Sequence, residues 1–252
     1  MLSTKDIYDA NASRWARSER VLLSDFTARP RVIEALGPLD GRHVLDLGCG
    51  EGYVARLAVD AGAASVHGVD ASPEMVRAAC DAAQTYPSTA LSFEAADAVG
   101  TNRFPRASYD RIMAVFLFNY LTRADMKTVM RTARERLAPG GRFVFTVPHP
   151  CFAYMRAPAA PFYFETNGAD YFSAVDRTLE GRIWRRDGAD VPVRCVHKTL
   201  SDYFDALAEA GFVALPRVVE LAVTVEHIAL DADFFGPLRG YPLHVLFSVE
   251  LP

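Results

Sequence analysis

Val44-Leu45-Asp46-Leu47-Gly48-Cys49-Gly50-Glu51-Gly52 is the most informative segment of the chain. A short apolar run stopped by glycines reads as a buried strand. Tyr53 to Ala61, rich in Ala, Val and Leu at helical spacing, reads as the helix that follows. A strand that ends in a glycine turn and opens a helix lets a ligand lie against bare backbone at the carboxyl edge of a sheet. The helix amides beyond the turn favour electron-rich groups. The spacing is Gly48-x-Gly50-x-Gly52 rather than GxGxxG, and Asp46 stands two residues before the first glycine. A carboxylate there repels a pyrophosphate and suits a ligand that carries an ammonium group.

Downstream the strand and helix patterns alternate. Strands are expected at Ser65–Val69, Leu91–Ala95, Tyr109–Val115 and Arg142–Val147. A helix runs from Pro73 to about Ala83 with Ser72 as its N-cap, and another from Asp125 to Leu137, ended by Ala138-Pro139-Gly140-Gly141. Such alternation argues for parallel strands joined by helical crossovers. Asp70 ends the second strand, where a carboxylate can accept both hydroxyls of a ribose. Asp97, after the third strand, puts another short acid at the same edge, suited to an adenine amino group.

Upstream, residues 1–40 read as helical, with Ile7, Ala10, Arg14 and Trp15 at helical spacing and a second helix from about Phe26 to Leu36 closed by Gly37-Pro38. After Pro148 the rhythm breaks. Residues 149–198 hold Phe152, Tyr154, Phe162, Tyr163, Phe164, Tyr171, Phe172 and Trp184 without a helical period, and Asp187-Gly188 marks a hairpin turn. Leu200–Ala210 is then a helix stopped by Gly211, and Phe212–Val225 and His244–Leu251 are strands. The expected organisation is one domain over 1–252: N-terminal lid helices 1–40, a ligand-binding core 41–148, an aromatic insertion 149–198, and a C-terminal helix and strands 199–252.

Composition sets limits. With 27 basic against 31 acidic residues in 252, the chain has no basic excess with which to neutralise phosphates, and no nucleic-acid partner is expected. Half the residues are hydrophobic and 23% charged, an ordinary globular balance. No apolar stretch approaches the ~18 residues of a membrane span. Met1 to Asp6 carries no apolar run behind its positive charge, and the four cysteines, Cys49, Cys80, Cys151 and Cys195, form no CxxC pair. A cytoplasmic protein with reduced thiols and no bound metal is expected.

The runs VLDLGCGEGYVARLA, GVDASPEMV, EAADA, YDRIMAVFLFNYL and LAPGGRFVFTVP, in this order over residues 44–148, resemble the motif set of class I S-adenosylmethionine-dependent methyltransferases. The resemblance implies an α/β, Rossmann-like, doubly wound sheet of seven mostly parallel strands with an antiparallel last strand, and S-adenosyl-L-methionine as cofactor. It implies that Gly48, Gly50 and Gly52, with Cys49, pass under the methionine portion while Asp46 organises its amino group. Asp70, with Ala71, would take the ribose, and Met75 would pack near the adenine. Asp97 would read the adenine amino group, flanked by Ala96 and Ala98, and Phe116 would lie near the sulfonium. Tyr8, Arg14 and Trp15 resemble the opening of many small-molecule methyltransferases, with Tyr8 near the methyl group and Arg14 on the cofactor carboxylate; pinning a lid helix to the body is the other reading.

His149 follows the fifth strand and is the expected general base, with a purely orienting role as the alternative. The loop Phe116-Leu117-Phe118-Asn119-Tyr120 lacks the [DN]PP[YF] sequence used on exocyclic amines. The aromatic insertion therefore points to a flat, small acceptor, with Tyr120, Phe152, Tyr163, Trp184 and His197 as expected contacts; a satellite core or a homodimer surface is the other use of those rings. TVPHPCF followed by HKTLSDYFDALAEAGF is similar to small-molecule methyltransferases of bacterial secondary metabolism, the toxoflavin N-methyltransferase type among them. Methyl transfer to N or O of an aromatic or heteroaromatic metabolite is the expected function. A methyltransferase of protein or RNA, and an inactive cofactor-binding partner subunit, are the alternatives.

Overall fold

The structure, a computed structural model, describes residues 4–101 and 104–252. Met1 to Ser3, part of the segment read for a leader, lie outside the described residues. Three helices open the chain: α1 (Thr4–Trp15), α2 (Leu23–Thr27) and α3 (Arg29–Leu36). The core then alternates β1 (His43–Leu47), α4 (Tyr53–Asp60), β2 (Ser65–Asp70), α5 (Pro73–Ala82), β3 (Leu91–Ala95), β4 (Tyr109–Val115), α6 (Arg123–Arg136) and β5 (Leu137–Pro148). The insertion holds α7 (Phe152–Met155), β6 (Phe162–Phe164), β7 (Thr178–Trp184) and β8 (Asp190–Val196). The chain finishes with α8 (Leu200–Glu209), β9 (Arg217–Leu221), α9 (Val225–Leu230), α10 (Ala232–Phe235) and β10 (His244–Glu250).

Seven strands form one sheet in the order β3-β2-β1-β4-β5-β10-β9. The first five are parallel, and β10 runs antiparallel to both its neighbours. The expected mostly parallel sheet with an antiparallel last strand is thus present. Strands buried on both faces require apolar side chains above and below. Helices α6 and α8 cover one face over Phe143, Phe145 and Phe247, while α3 and α4 cover the other over Val44, Val66 and Val144. Ser72 caps α5 by accepting the Met75 amide at 3.1 Å, as its position before Pro73 predicts.

The insertion is a three-stranded antiparallel sheet, β6-β7-β8, with its hairpin at Asp187-Gly188. Phe162, Phe164, Leu179, Ile183, Val191 and Val193 form its buried face and join Trp15 and Met75 in a third core cluster. Gly181 pairs with Phe164; a Cβ there would stand 2.2 Å from the Tyr163 carbonyl oxygen, so only glycine lets β6 approach β7.

Several boundaries differ from expectation, for local reasons. The helix expected over Phe26–Leu36 is two helices with a break at Ala28, because Pro30 lacks the amide that would continue the ladder. Thr122 caps α6 by accepting from the Asp125 amide, so that helix begins at Arg123. The strand expected over Phe212–Val225 is confined to Arg217–Leu221. A reciprocal cap between Thr224 and His227 starts α9 instead, and Asp231 caps α10.

Candidate cofactor and acceptor site

The carboxyl ends of β1, β2, β3, β4 and β5 share one edge of the sheet. Because β10 is antiparallel, its first residue, His244, sits at that same edge, opposite Pro148. A cavity of about 280 Å³ opens there, roofed by α1 and the β6–β8 sheet. Gly48, Gly50 and Gly52 all take positive φ, 74°, 55° and 75°, which side chains rarely adopt. The turn is fastened to β2: the Gly48 amide donates to Val69 O at 2.8 Å, and the Gly50 amide donates to Asp70 Oδ2 at 2.8 Å. Asp70 Oδ1 accepts the Ser72 amide at 2.9 Å. Burial raises the Asp70 carboxyl above its usual range, against these two amides.

Asp46 is the outlier of the site. It is 1% exposed, and neither carboxyl oxygen has a hydrogen-bond partner among the described residues. Burial and then the charge of Asp70 push it up to about 8, with Arg29 pulling the other way. An unpartnered carboxylate beside a cavity is a group in want of a cation.

A buried charge network borders the same cavity. Arg17 grips Asp25 through Nε (2.9 Å) and Nη2 (2.8 Å) and reaches Glu51 Oε1 at 2.8 Å. Arg56 bonds Glu51 Oε2 at 2.9 Å, and Arg29 Nη1 bonds Asp25 at 2.8 Å and the Ser24 hydroxyl. Burial opposes ionisation of Asp25, yet Arg29 and Arg17 hold its carboxyl below the usual range. Three guanidiniums thus share two carboxylates. The Nε and Nη2 groups of Arg29 have no bond among the described residues, and its guanidinium lies 5.3 Å from the Phe116 ring centre.

Phe116 itself is strained, with φ of 59° immediately after β4. Across the cavity the Tyr8 and Tyr120 hydroxyls touch, their rings T-shaped at 5.3 Å, and Trp15 tilts against Tyr8 at 5.4 Å. Burial, then Tyr120, holds the Tyr8 hydroxyl protonated well above its ordinary range.

Of the residues singled out from sequence, Tyr8, Trp15, Asp46, Gly48, Cys49, Gly50, Asp70, Ala71, Met75, Asp97, Ala98, Phe116 and Tyr120 line the cavity. Gly52 and Ala96 flank it without lining it. Gly52 caps α4, packed under Phe93 and Ala79. Arg14 is exposed and reaches Asp190 O at 3.4 Å, away from the cavity; Arg17 and Arg29 stand there instead.

His149 also lies off the cavity. Its Nδ1 accepts the Cys151 amide at 3.2 Å, so Nε2 carries the proton and donates to Glu220 Oε1 at 2.9 Å. Both ring nitrogens are therefore occupied, Nδ1 by the local turn at Cys151 and Nε2 by Glu220 on β9. His197 is likewise spent, its Nε2 on the Tyr171 carbonyl at 2.8 Å. Phe152 stacks behind Phe162 at 4.8 Å, and Tyr163 packs against Trp184 at 5.9 Å on the outer face of the cap. The strand pleat puts Phe162, Phe164, Ile183 and Val193 on the cavity side in their place. No cluster with metal-ligand character exists among the described residues.

Residues 44–141 match the family model described as a methyltransferase domain. A solved S-adenosylmethionine-dependent methyltransferase from Mesorhizobium loti superposes with a TM-score of 0.64 at 28% identity, covering 88% of this chain and 96% of that one. Trans-aconitate 2-methyltransferase of Streptomyces avermitilis is 35% identical over 142 residues, 53% of this chain and 51% of its own. Aklanonic acid methyltransferase DauC of Streptomyces sp. strain C5 is 31% identical over 134 residues, 52% of this chain and 57% of its own. The chain spans about half the length of these two curated relatives. Over residues 44–141 the chain is thus similar to methyltransferase domains, and it shares the fold of the Mesorhizobium loti S-adenosylmethionine-dependent methyltransferase.

Proposed function

We propose that this protein transfers the methyl group of S-adenosylmethionine to nitrogen or oxygen of a small aromatic or heteroaromatic metabolite. The observation that carries the reading is a pair of groups on one cavity: the Asp46 carboxyl, buried with no partner among the described residues, and Arg29, with donors to spare. They match the two charged ends of an amino acid. In this reading Asp46 receives the ammonium group, Arg29 the carboxylate, Asp70 the ribose hydroxyls, and Asp97 the adenine amino group. Met75 packs against the base, and the Gly48–Gly50 turn leaves room for the chain between.

The cofactor supplies a methyl carbon on a sulfonium, an excellent leaving group. What remains for the protein is alignment and exclusion of water. Phe116 and the hydroxyl pair Tyr8–Tyr120 flank the reacting end, and the cap supplies Phe162, Phe164, Ile183 and Val193 as an apolar wall. A flat acceptor fits that wall better than a polymer does. The two curated relatives named above act, by their names, on small organic acids, which agrees with a small-molecule acceptor. Lid, core, cap and C-terminal segment act here as one unit, and a place in cytoplasmic secondary metabolism suits the unpaired cysteines and such an acceptor.

The test is methyl transfer from labelled S-adenosylmethionine across a panel of phenols, ring-NH heterocycles and aromatic acids. Label in a small-molecule product supports the reading, and label found only in added protein or RNA refutes it.

A further inference from the structure

His244 lines the cavity, carries no motif that marks it, and has no task in the proposed reading. It is 2% exposed, 5.0 Å from the Phe116 ring and stacked 6.0 Å from Phe162, so it lies between the strained turn after β4 and the apolar cap wall. Its tautomer follows from a count of hydrogens. Thr27 Oγ1 has one hydrogen and donates it to Leu23 O at 3.0 Å. Toward His244 Nδ1, 3.3 Å away, the same oxygen can only accept. With the bond to Leu23 kept, Nδ1 carries the ring proton, and Nε2 is a bare lone pair with no hydrogen bond among the described residues. Burial, then the nearby charges of Arg29 and His149, push the imidazole down to about 3, so it stays neutral at any working pH.

Resting on the methyltransferase reading, we propose that His244 Nε2 receives the hydrogen of the acceptor's nucleophilic atom, so that the acceptor class is a protic one: a phenolic O–H or a ring or amine N–H. A carboxylate placed there would meet a lone pair and gain nothing. The bond that forms joins the acceptor heteroatom to the methyl carbon. The bond that breaks is carbon–sulfur, its electron pair staying on sulfur, and the acceptor's proton goes to Nε2. So weak a base does not strip a phenol beforehand. It takes the proton only as positive charge grows on the heteroatom, and until then it aims the lone pair being methylated.

The test needs no known substrate. Protein labelled with ¹⁵N-histidine is first titrated with S-adenosylhomocysteine by calorimetry; failure to bind there defeats the methyltransferase reading rather than this proposal. The saturated protein is then observed by long-range ¹⁵N–¹H correlation while phenol, or its methyl ether anisole, is added. The expected spectrum shows His244 as the Nδ1–H tautomer, with Nε2 moved by phenol and not by anisole. His244→Ala should weaken phenol binding about tenfold while leaving the S-adenosylhomocysteine affinity unchanged. Thr27→Val, which removes the Nδ1 acceptor without touching the ring, should mix the two tautomers and weaken phenol binding in the same direction. An Nε2–H tautomer, an equal response to phenol and anisole, or no response to either overturns the proposal.

Discussion

The Asp46 carboxyl group and the Arg29 guanidinium face one cavity, yet they do not pair with each other. Arg29 instead shares Asp25 with Arg17, and the Asp46 carboxyl oxygens have no hydrogen-bond partner among the described residues. Leaving a buried charge uncompensated is costly, and proteins tolerate it where a ligand completes the set.

The pH dependence of the ligand-free protein follows from Asp46. Its folded value, about 8, lies above the ordinary carboxyl value of 3.8. Between those limits the folded state binds the extra proton, so stability falls as pH rises through that window. Thermal or urea unfolding from pH 5 to 8 should show this decline in the wild type. In Asp46→Asn it should flatten, with a gain on the order of 1–3 kcal/mol at pH 8. Cofactor affinity should run the other way and tighten toward pH 8, because the ammonium group needs the ionised acid.

Arg29→Ala should weaken S-adenosylhomocysteine binding by about 10–100-fold, the worth of a charge-assisted bond. Arg14→Ala should change it by less than about twofold, since Arg14 is exposed on the far side of the lid. Calorimetric titration of the two variants separates them.

Gly52→Ala should destabilise the protein by about 1–3 kcal/mol in urea unfolding. The residue sits at φ 75°, and a Cβ would stand 2.8 Å from Phe93 Cζ.

His149→Ala should behave as a structural change. Loss of its bond to Glu220 should lower stability by about 1 kcal/mol, with turnover on a working acceptor within about threefold of wild type. A fall of a hundredfold in turnover at unchanged stability would restore it as a base.

The residues that were legible are those whose role is local. The glycine turn, Ser72 before Pro73, and Asp70 and Asp97 at strand tips carry their geometry in three or four consecutive positions. The cap was half legible: Phe162-Tyr163-Phe164 and Arg182-Ile183-Trp184 alternate as strands do, but alternation does not say which face meets the cavity, and the expected Tyr163 and Trp184 are on the outer one. His149 looked available because its consuming partner, Glu220, is 71 residues away. Arg29 and His244 were invisible for the same reason. One lies in a helix whose start is set by Pro30, and the other on a strand whose antiparallel direction alone brings its first residue to the site.

The most direct test compares two ligands in the same calorimeter cell: S-adenosylhomocysteine and 5′-methylthioadenosine, which keeps the nucleoside and thioether but lacks the amino-acid head. If Asp46 and Arg29 hold that head, the first binds about 100-fold tighter or more, and the gap collapses in the Asp46→Asn, Arg29→Ala double variant. Equal affinities for the two ligands in the wild type, or no binding of S-adenosylhomocysteine, would contradict the account.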